Sequence, residues 1–278
     1  MPQPRSQQRA QRTRRRNAGS DLGARLLAAV PAIAFAIAIV AVGGLVWVAG
    51  IVALGIVCLH ELFAMFDRAH PTRLAGFIGI IGLALAAHYG GREDLLLALM
   101  ATVPLTFLLI QLQPRGGAPG VSVTLLGLLW IGGALGHAVL LRDLPHGGGV
   151  VVAVLVGTFI GDTGAYLGGR AFGASQLAPR ISPNKTWEGL GVGIVAAVAG
   201  VWFTGLYQDW MSGRDALLIG IGVALAAPLG DLFESYLKRD ARIKDTGRLF
   251  GAHGGALDRL DAVLFTIVVG YYLWLTLQ

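Results

Sequence analysis

Charge is scarce in this chain and cysteine almost absent. Only 14% of the 278 residues are Asp, Glu, Lys or Arg, against about a quarter in ordinary soluble domains, too few to clothe a water-soluble core. The one cysteine, Cys58, lies inside an apolar run. Without a partner it excludes an internal disulfide and a cysteine-based metal centre, and it reads as a small buried hydrophobe. No repeat of the helical-array kind is visible, which removes solenoid architectures. Polar stretches long enough for a separate soluble domain are missing too.

Apolar length is what remains. Hydrophobic residues make up 55% of the chain, and the mean hydropathy is +0.66. A spanning helix needs about 20 apolar residues, so the reading is an all-α integral membrane protein: a polytopic bundle of about nine transmembrane helices. Spans are expected near 23–42, 45–66, 74–90, 94–112, 121–141, 149–169, 187–207, 215–237 and 259–277, with Gly43-Gly44 as the turn between the first two. Residues 1–21 carry Arg5, Arg9, Arg12, Arg14, Arg15 and Arg16 with little to bury, and are expected to form a disordered polybasic cytoplasmic tail. Residues 22–278 form the membrane domain. The apolar stretch after the tail is too long for a cleaved signal peptide.

With the N-terminus inside, 19 of the 22 Lys and Arg residues fall on the cytoplasmic side and only Arg92, Arg142 and Arg214 on the other, as the positive-inside rule requires. The net charge of +6 therefore reports orientation and lipid contact, and nucleic acid is discounted as a partner. The loops near 170–186 and 238–258 then face the cytoplasm, at the inner face of a cell membrane. The sequence leaves open whether the chain is monomeric or a homodimer.

Three segments concentrate polar chemistry at cytoplasmic helix ends. Asp162, Tyr166 and Gly169 share a helix face, and an ionisable residue within a span is a functional-site hypothesis by default, with a structural pairing as the plain alternative. The stretch from Arg180 to Gly189 runs Ser182-Pro183-Asn184-Lys185-Thr186 into the seventh span, a helix-entry pattern whose free N–H groups, hydroxyl and ammonium suit a phosphate. An orientation anchor explains Lys185 equally well, and Glu188 reads as a cap at the positive end of that helix.

The third segment runs from 231 to 261. Asp231, Ser235 and Lys238 recur at i, i+4 and i+7 on an apolar helix, and Asp258 and Asp261 share a face where the last helix begins. Carboxylates with no cysteine and one nearby histidine, His253, favour a hard cation, magnesium above all. Lys238, Arg239, Lys244 and Arg259 around them complement an anionic substrate. Carboxylates, Mg2+ and cations together suit transfer between phosphates. The same residues leave open a cation- or proton-coupled transporter, with Asp162, Asp231 and Asp258 lining a path.

Ser235-x-Leu237-Lys238-Arg239, Lys244-Asp245-x-Gly247, Phe250-Gly251-x-His253-Gly254-Gly255 and Asp258-Arg259-x-Asp261 together closely resemble the signature of the phosphatidate cytidylyltransferases, also called CDP-diacylglycerol synthases. The segments 162–169 and 181–189 resemble that family's as well, so motifs cover roughly the C-terminal half. Ala256 and Gly251 depart from the usual pattern without removing a charge. The resemblance implies conversion of CTP and phosphatidic acid to CDP-diacylglycerol and diphosphate by a Mg2+-dependent membrane enzyme, or the same transfer to another lipid. On that reading Asp231 and Asp258, with Asp245 or Asp261, hold the metal. Asp231, Asp258, Lys238 and Arg239 are catalytic, and Asp162, Ser182, Asn184, Lys185, Ser235, Lys244, His253 and Arg259 contact substrate.

Overall fold

The computed structural model describes residues 34–113, 115–247 and 254–278. Seven helices among them are long and apolar enough to cross a membrane: α1 (Gly44–Met65), α2 (Arg73–Ile110), α3 (Ala118–Asp143), α4 (Gly147–Phe172), α5 (Trp187–Gly205), α6 (Gly213–Asp240) and α7 (Leu257–Leu277). Leu97, Met100, Leu108, Val195, Leu225 and Leu229 are exposed on them, as suits a surface that meets lipid rather than water. The expected tail at 1–21 lies outside the described residues, as does much of the first expected span. Residues 34–42 are helical, with Ile39 and Val40 buried in the core. Gly43 and Gly44 both adopt positive φ, 70° and 52°, which makes the expected turn into α1.

The 38 residues of α2 would extend about 57 Å at the helical rise, nearly twice the hydrocarbon thickness of a bilayer. Gly91 interrupts them with φ 76° and ψ −155°, a conformation that side chains disfavour. The interruption falls between the expected spans at 74–90 and 94–112, so α2 consists of two arms meeting at Gly91.

Two short strands amend the all-α expectation. β1 (Gln176–Ala178) and β2 (Ser182–Thr186) pair antiparallel, Gln176 opposite Thr186 and Ala178 opposite Ser182. The Ser182–Thr186 stretch is thus the second strand of a hairpin, whereas a helix entry was expected. Pro183 sits on this edge, where a missing N–H costs little. The helix starts only at Trp187, once Thr186 accepts the Gly189 N–H through its Oγ1 at 3.1 Å.

α4 packs along α5, α5 along α6, and α6 along α7. The α4–α5 seam is tight because it is built from small residues: a Cβ at Gly161 would stand 2.9 Å from that of Ala197, the close approach that small residues permit between membrane helices. Thr158 of α4 donates to Thr266 of α7 at 2.9 Å in the interior. The chain direction therefore gathers the C-terminal ends of α1, α4 and α6, the hairpin, and the starts of α5 and α7 at one end of the bundle. At the other end Trp274 Nε1 donates to the Pro145 carbonyl at 2.8 Å. His146 stacks on Trp210 there, with ring centres 4.6 Å apart.

Candidate active site

Helical spacing puts Asp231, Glu234, Ser235 and Lys238 on neighbouring positions of α6, and the tertiary fold brings a partner to each. From β2, Lys185 Nζ reaches Asp231 Oδ2 at 2.5 Å, while Ser235 Oγ donates to Asp231 Oδ1 at 3.3 Å. One turn on, Lys238 Nζ donates to Glu234 Oε2 at 2.7 Å and to Asp258 Oδ1 of α7 at 2.9 Å. Asp258 Oδ2 accepts the N–H groups of Thr246 at 3.0 Å and Gly255 at 2.7 Å. Two ammonium groups thus pair with three carboxylates, Lys185 with Asp231 and Lys238 with both Glu234 and Asp258, between the hairpin, α6 and α7. Such pairs hold together in a desolvated place only while every member keeps its partner.

Two more carboxylates border this network. Asp261 accepts the Ala262 N–H at 2.8 Å and lies beside Glu234 and Asp231. Asp162 on α4 is close enough to Asp231, Asp261 and Lys185 for their charges to act on it. Glu234 is fully buried; its Oε1 meets no N–H or hydroxyl donor among the described residues, but its carboxyl lies within hydrogen-bonding reach of that of Asp261. Two buried carboxyls this close need either a shared proton or a cation between them.

The sequence-derived residues divide accordingly. The structure unites Asp162, Lys185, Asp231, Ser235, Lys238, Asp258 and Asp261. Arg239 is turned to the hairpin, its Nε donating to the Ile181 carbonyl at 3.1 Å. Ser182 and Asn184 lie on β2 beside Lys185, Asn184 exposed. Lys244 and Asp245 are exposed in the connection between α6 and α7, and Arg259 is exposed on the first turn of α7. His253 lies outside the described residues.

Glu188 stands in the first turn of α5 as expected, its carboxylate meeting its own backbone N–H. It also reaches back to accept the N–H groups of Ala174 at 3.1 Å and Ser175 at 3.2 Å, fastening the hairpin, while Trp187 N donates to the Ser175 carbonyl at 3.0 Å. Trp187 itself stays 59% exposed. Two residues escaped the sequence reading. Glu234 carried a signal, at i+3 from Asp231 and i−4 from Lys238. Glu61 of α1, which binds the start of α7, carried none beyond being ionisable within a span.

For a divalent ion, no three His, Cys, Asp or Glu side chains converge into a ready ligand set among the described residues. The donor chemistry nevertheless suits magnesium: hard carboxylate oxygens at Asp231, Asp261 and Asp162, with the buried carboxyl of Glu234 against Asp261 behind them. Asp258 fits less well, since its oxygens already accept from Lys238 and two backbone N–H groups; those of Asp231 are engaged too, by Ser235 at 3.3 Å and by Lys185, so a metal there would displace a side chain rather than backbone. Asp245 stands apart from the network.

The family model of the cytidylyltransferases matches residues 23–277. Similar proteins include a phosphatidate cytidylyltransferase of Mycobacterium leprae, 38% identical over 150 residues, 54% of this chain and 48% of that protein. One from Brucella suis is 32% identical over 240 residues, covering 82% and 86%. One from Bacillus subtilis is 33% identical over 263 residues, covering 91% and 97%. The chain thus spans about half the length of the mycobacterial relatives it matches and nearly all of the Bacillus one.

Proposed function

The chain belongs to the cytidylyltransferase family, and on that premise we propose that it transfers the cytidylyl group of CTP to phosphatidic acid. The products are CDP-diacylglycerol and diphosphate, a step of phospholipid biosynthesis. The observation that carries the reading is the gathering of two ion-paired lysines, Lys185 on Asp231 and Lys238 on Glu234 and Asp258, from three elements at one end of a membrane bundle. A lipid phosphate held at the bilayer surface and a soluble nucleotide meet at such a place.

In the reaction a phosphatidate oxygen attacks the α-phosphorus of CTP in line. A new P–O bond forms as the bond to the bridging oxygen of the β-phosphate breaks, and diphosphate carries away the electron pair. Lys185 and Lys238, now paired with carboxylates, can exchange one anionic partner for a phosphate oxygen, and Arg239 and Arg259 stand at the rim for the same purpose. Ser182, Asn184 and Ser235 supply neutral hydrogen bonds. Catalysis of this kind rests on positioning and charge neutralisation rather than on a covalent enzyme intermediate. Mg2+, held by Asp231 and Asp261 with Glu234 and Asp162 nearby, would neutralise the charge that develops on the leaving diphosphate.

The proposal includes a topology of nine spans, with 34–42 the end of the first and Gly91 dividing two. The N-terminus and the charged end face the cytoplasm across the cell membrane, as the distribution of Lys and Arg favours. Purified protein supplied with radiolabelled CTP, Mg2+ and a panel of lipids tests the activity. Label in CDP-diacylglycerol is expected. Label in another lipid but none with phosphatidic acid would overturn the substrate, and cation flux without nucleotide turnover would favour a transporter.

A further inference from the structure

We infer that Glu61, on α1, is a positioning residue for the carboxylates of α7: it caps the start of that helix from another element and so sets where Asp258 and Asp261 stand. The kinetic part of this inference rests on the cytidylyl-transfer reading, and the structural part on hydrogen bonds alone. α7 begins after Ala256 with no side-chain cap at that position, although the first N–H groups of any helix need acceptors from outside it. One carboxylate answers two of them: Ala256 N donates to Glu61 Oε1 at 3.0 Å and Leu257 N to Glu61 Oε2 at 2.8 Å. Thr246 Oγ1 adds a longer bond to Oε2, at 3.4 Å.

Glu61 is only 6% exposed, and a buried carboxylate survives by such donors and by facing the positive end of a helix. Its seat has no spare room, because a Cβ added to Gly247 or to Gly255 would run into the carboxylate. Asp258 grips the same two stretches of chain, through Thr246 N and Gly255 N, while tying them to Lys238. Two carboxylates therefore share one anchorage. One of them belongs to the reacting end, and the other comes from a helix near the opposite end of the sequence. A shift of α7 by a fraction of its first turn would move Asp258 and Asp261 together, and misplacement of about 1 Å can cost a reaction about a hundredfold.

The test is Glu61→Gln in the full chain, purified beside wild type. Gln keeps one acceptor oxygen and puts an NH2 where the second N–H needs an acceptor. The expected result is a fall in kcat of tenfold or more, roughly, with the KM for phosphatidic acid kept within about twofold. Amide hydrogen exchange is expected to quicken across 254–262 and not in α4 or α5. Glu61→Asp, which keeps both acceptors on a shorter stem, is expected to restore part of the rate. Wild-type kcat with unchanged exchange at 254–262 overturns the inference, as does a loss that matches the unfolded fraction and vanishes per folded molecule. Should Glu61→Gln fail to fold, Gly255→Ala, which pushes the same carboxylate from its seat, carries the test with the same two readouts. A wild type that does not convert CTP and phosphatidic acid sinks the transfer reading instead, and hydrogen exchange then decides alone whether Glu61 is the cap.

Discussion

The two ends of this bundle are closed by different physics. At one, Lys185, Lys238 and the carboxylates of α6 and α7 form ion pairs, two of which converge on an ammonium that is only 15% exposed. At the other, His146 stacks on Trp210, Trp210 meets Trp274 edge-on at 5.3 Å, and Arg142 Nε donates to the Val40 carbonyl at 2.9 Å. Aromatic contacts and backbone acceptors, with a His88–Asp143 contact at 2.8 Å beside them, hold the helices together there, so the far end leans much less on ion pairs. The charged end has a surplus of carboxylates around two lysines, with the carboxyls of Glu234 and Asp261 set against each other. On the proposed reading that surplus awaits a cation and substrate phosphates, and crowding like charges in this way costs stability.

That contrast can be broken in order of expected effect. Chelation of divalent cations is expected to abolish cytidylyl transfer, with Mg2+ restoring it, while the thermal transition changes little. Turnover unaffected by chelation would show that the acidic surplus serves another purpose. Lys238→Met should follow, because it leaves Glu234 and Asp258 facing each other without their shared cation. Breaking a buried pair in this way costs about 3–5 kcal/mol, readable as a large drop in melting temperature together with lost activity. Asp231→Asn keeps the shape and removes the charge opposite Lys185; a loss in kcat of about 10²–10³ is expected, with the fold intact by circular dichroism.

At the far end the expected numbers shrink. Trp210→Leu forfeits two aromatic contacts worth about 1 kcal/mol and should leave kcat unchanged; a marked kinetic defect would mean that the ends are coupled. Smallest of all is Arg73→Ala. Its partner Asp67 lies at 3.2 Å, but the two side chains are 46% and 72% exposed, and exposed pairs contribute about 0–1 kcal/mol. Since this pair sits in the loop that links α1 and α2 at the charged end, a null result there would assign the value of an ion pair to burial rather than to location.

Much of the scaffold was legible because membrane spans announce themselves by length and composition. The stripe of Asp231, Ser235 and Lys238 was legible because helical periodicity is local. The pairing of Lys185 with Asp231 was not, since it joins positions 46 apart in sequence through a hairpin that the sequence hides. Its strands are three and five residues long, and the longer one, Ser-Pro-Asn-Lys-Thr, has no apolar residue to alternate with its polar ones, while Pro183 argues against a strand at all. Glu188 was legible as a carboxylate at the positive end of α5, where it meets its own N–H, but its bonds to Ala174 and Ser175, behind it in the chain, were not. Glu61 was lost for a plainer reason: one carboxylate among apolar neighbours has no pattern, and its meaning comes from α7, nearly 200 residues later.

The exposed indole of Trp187 gives the charged end a property of another kind. It follows β2 directly, two residues after Lys185, and is fastened by its own N–H to Ser175, whereas Trp210 and Trp274 are packed at the far end. Fluorescence from an indole shifts with the polarity around it, so the chain carries an optical reporter within the hairpin that presents Lys185. Occupation of the charged end should be visible there as a change in emission, with Trp202, also exposed at 46%, replaced by Phe so that its signal is not mistaken for that of Trp187.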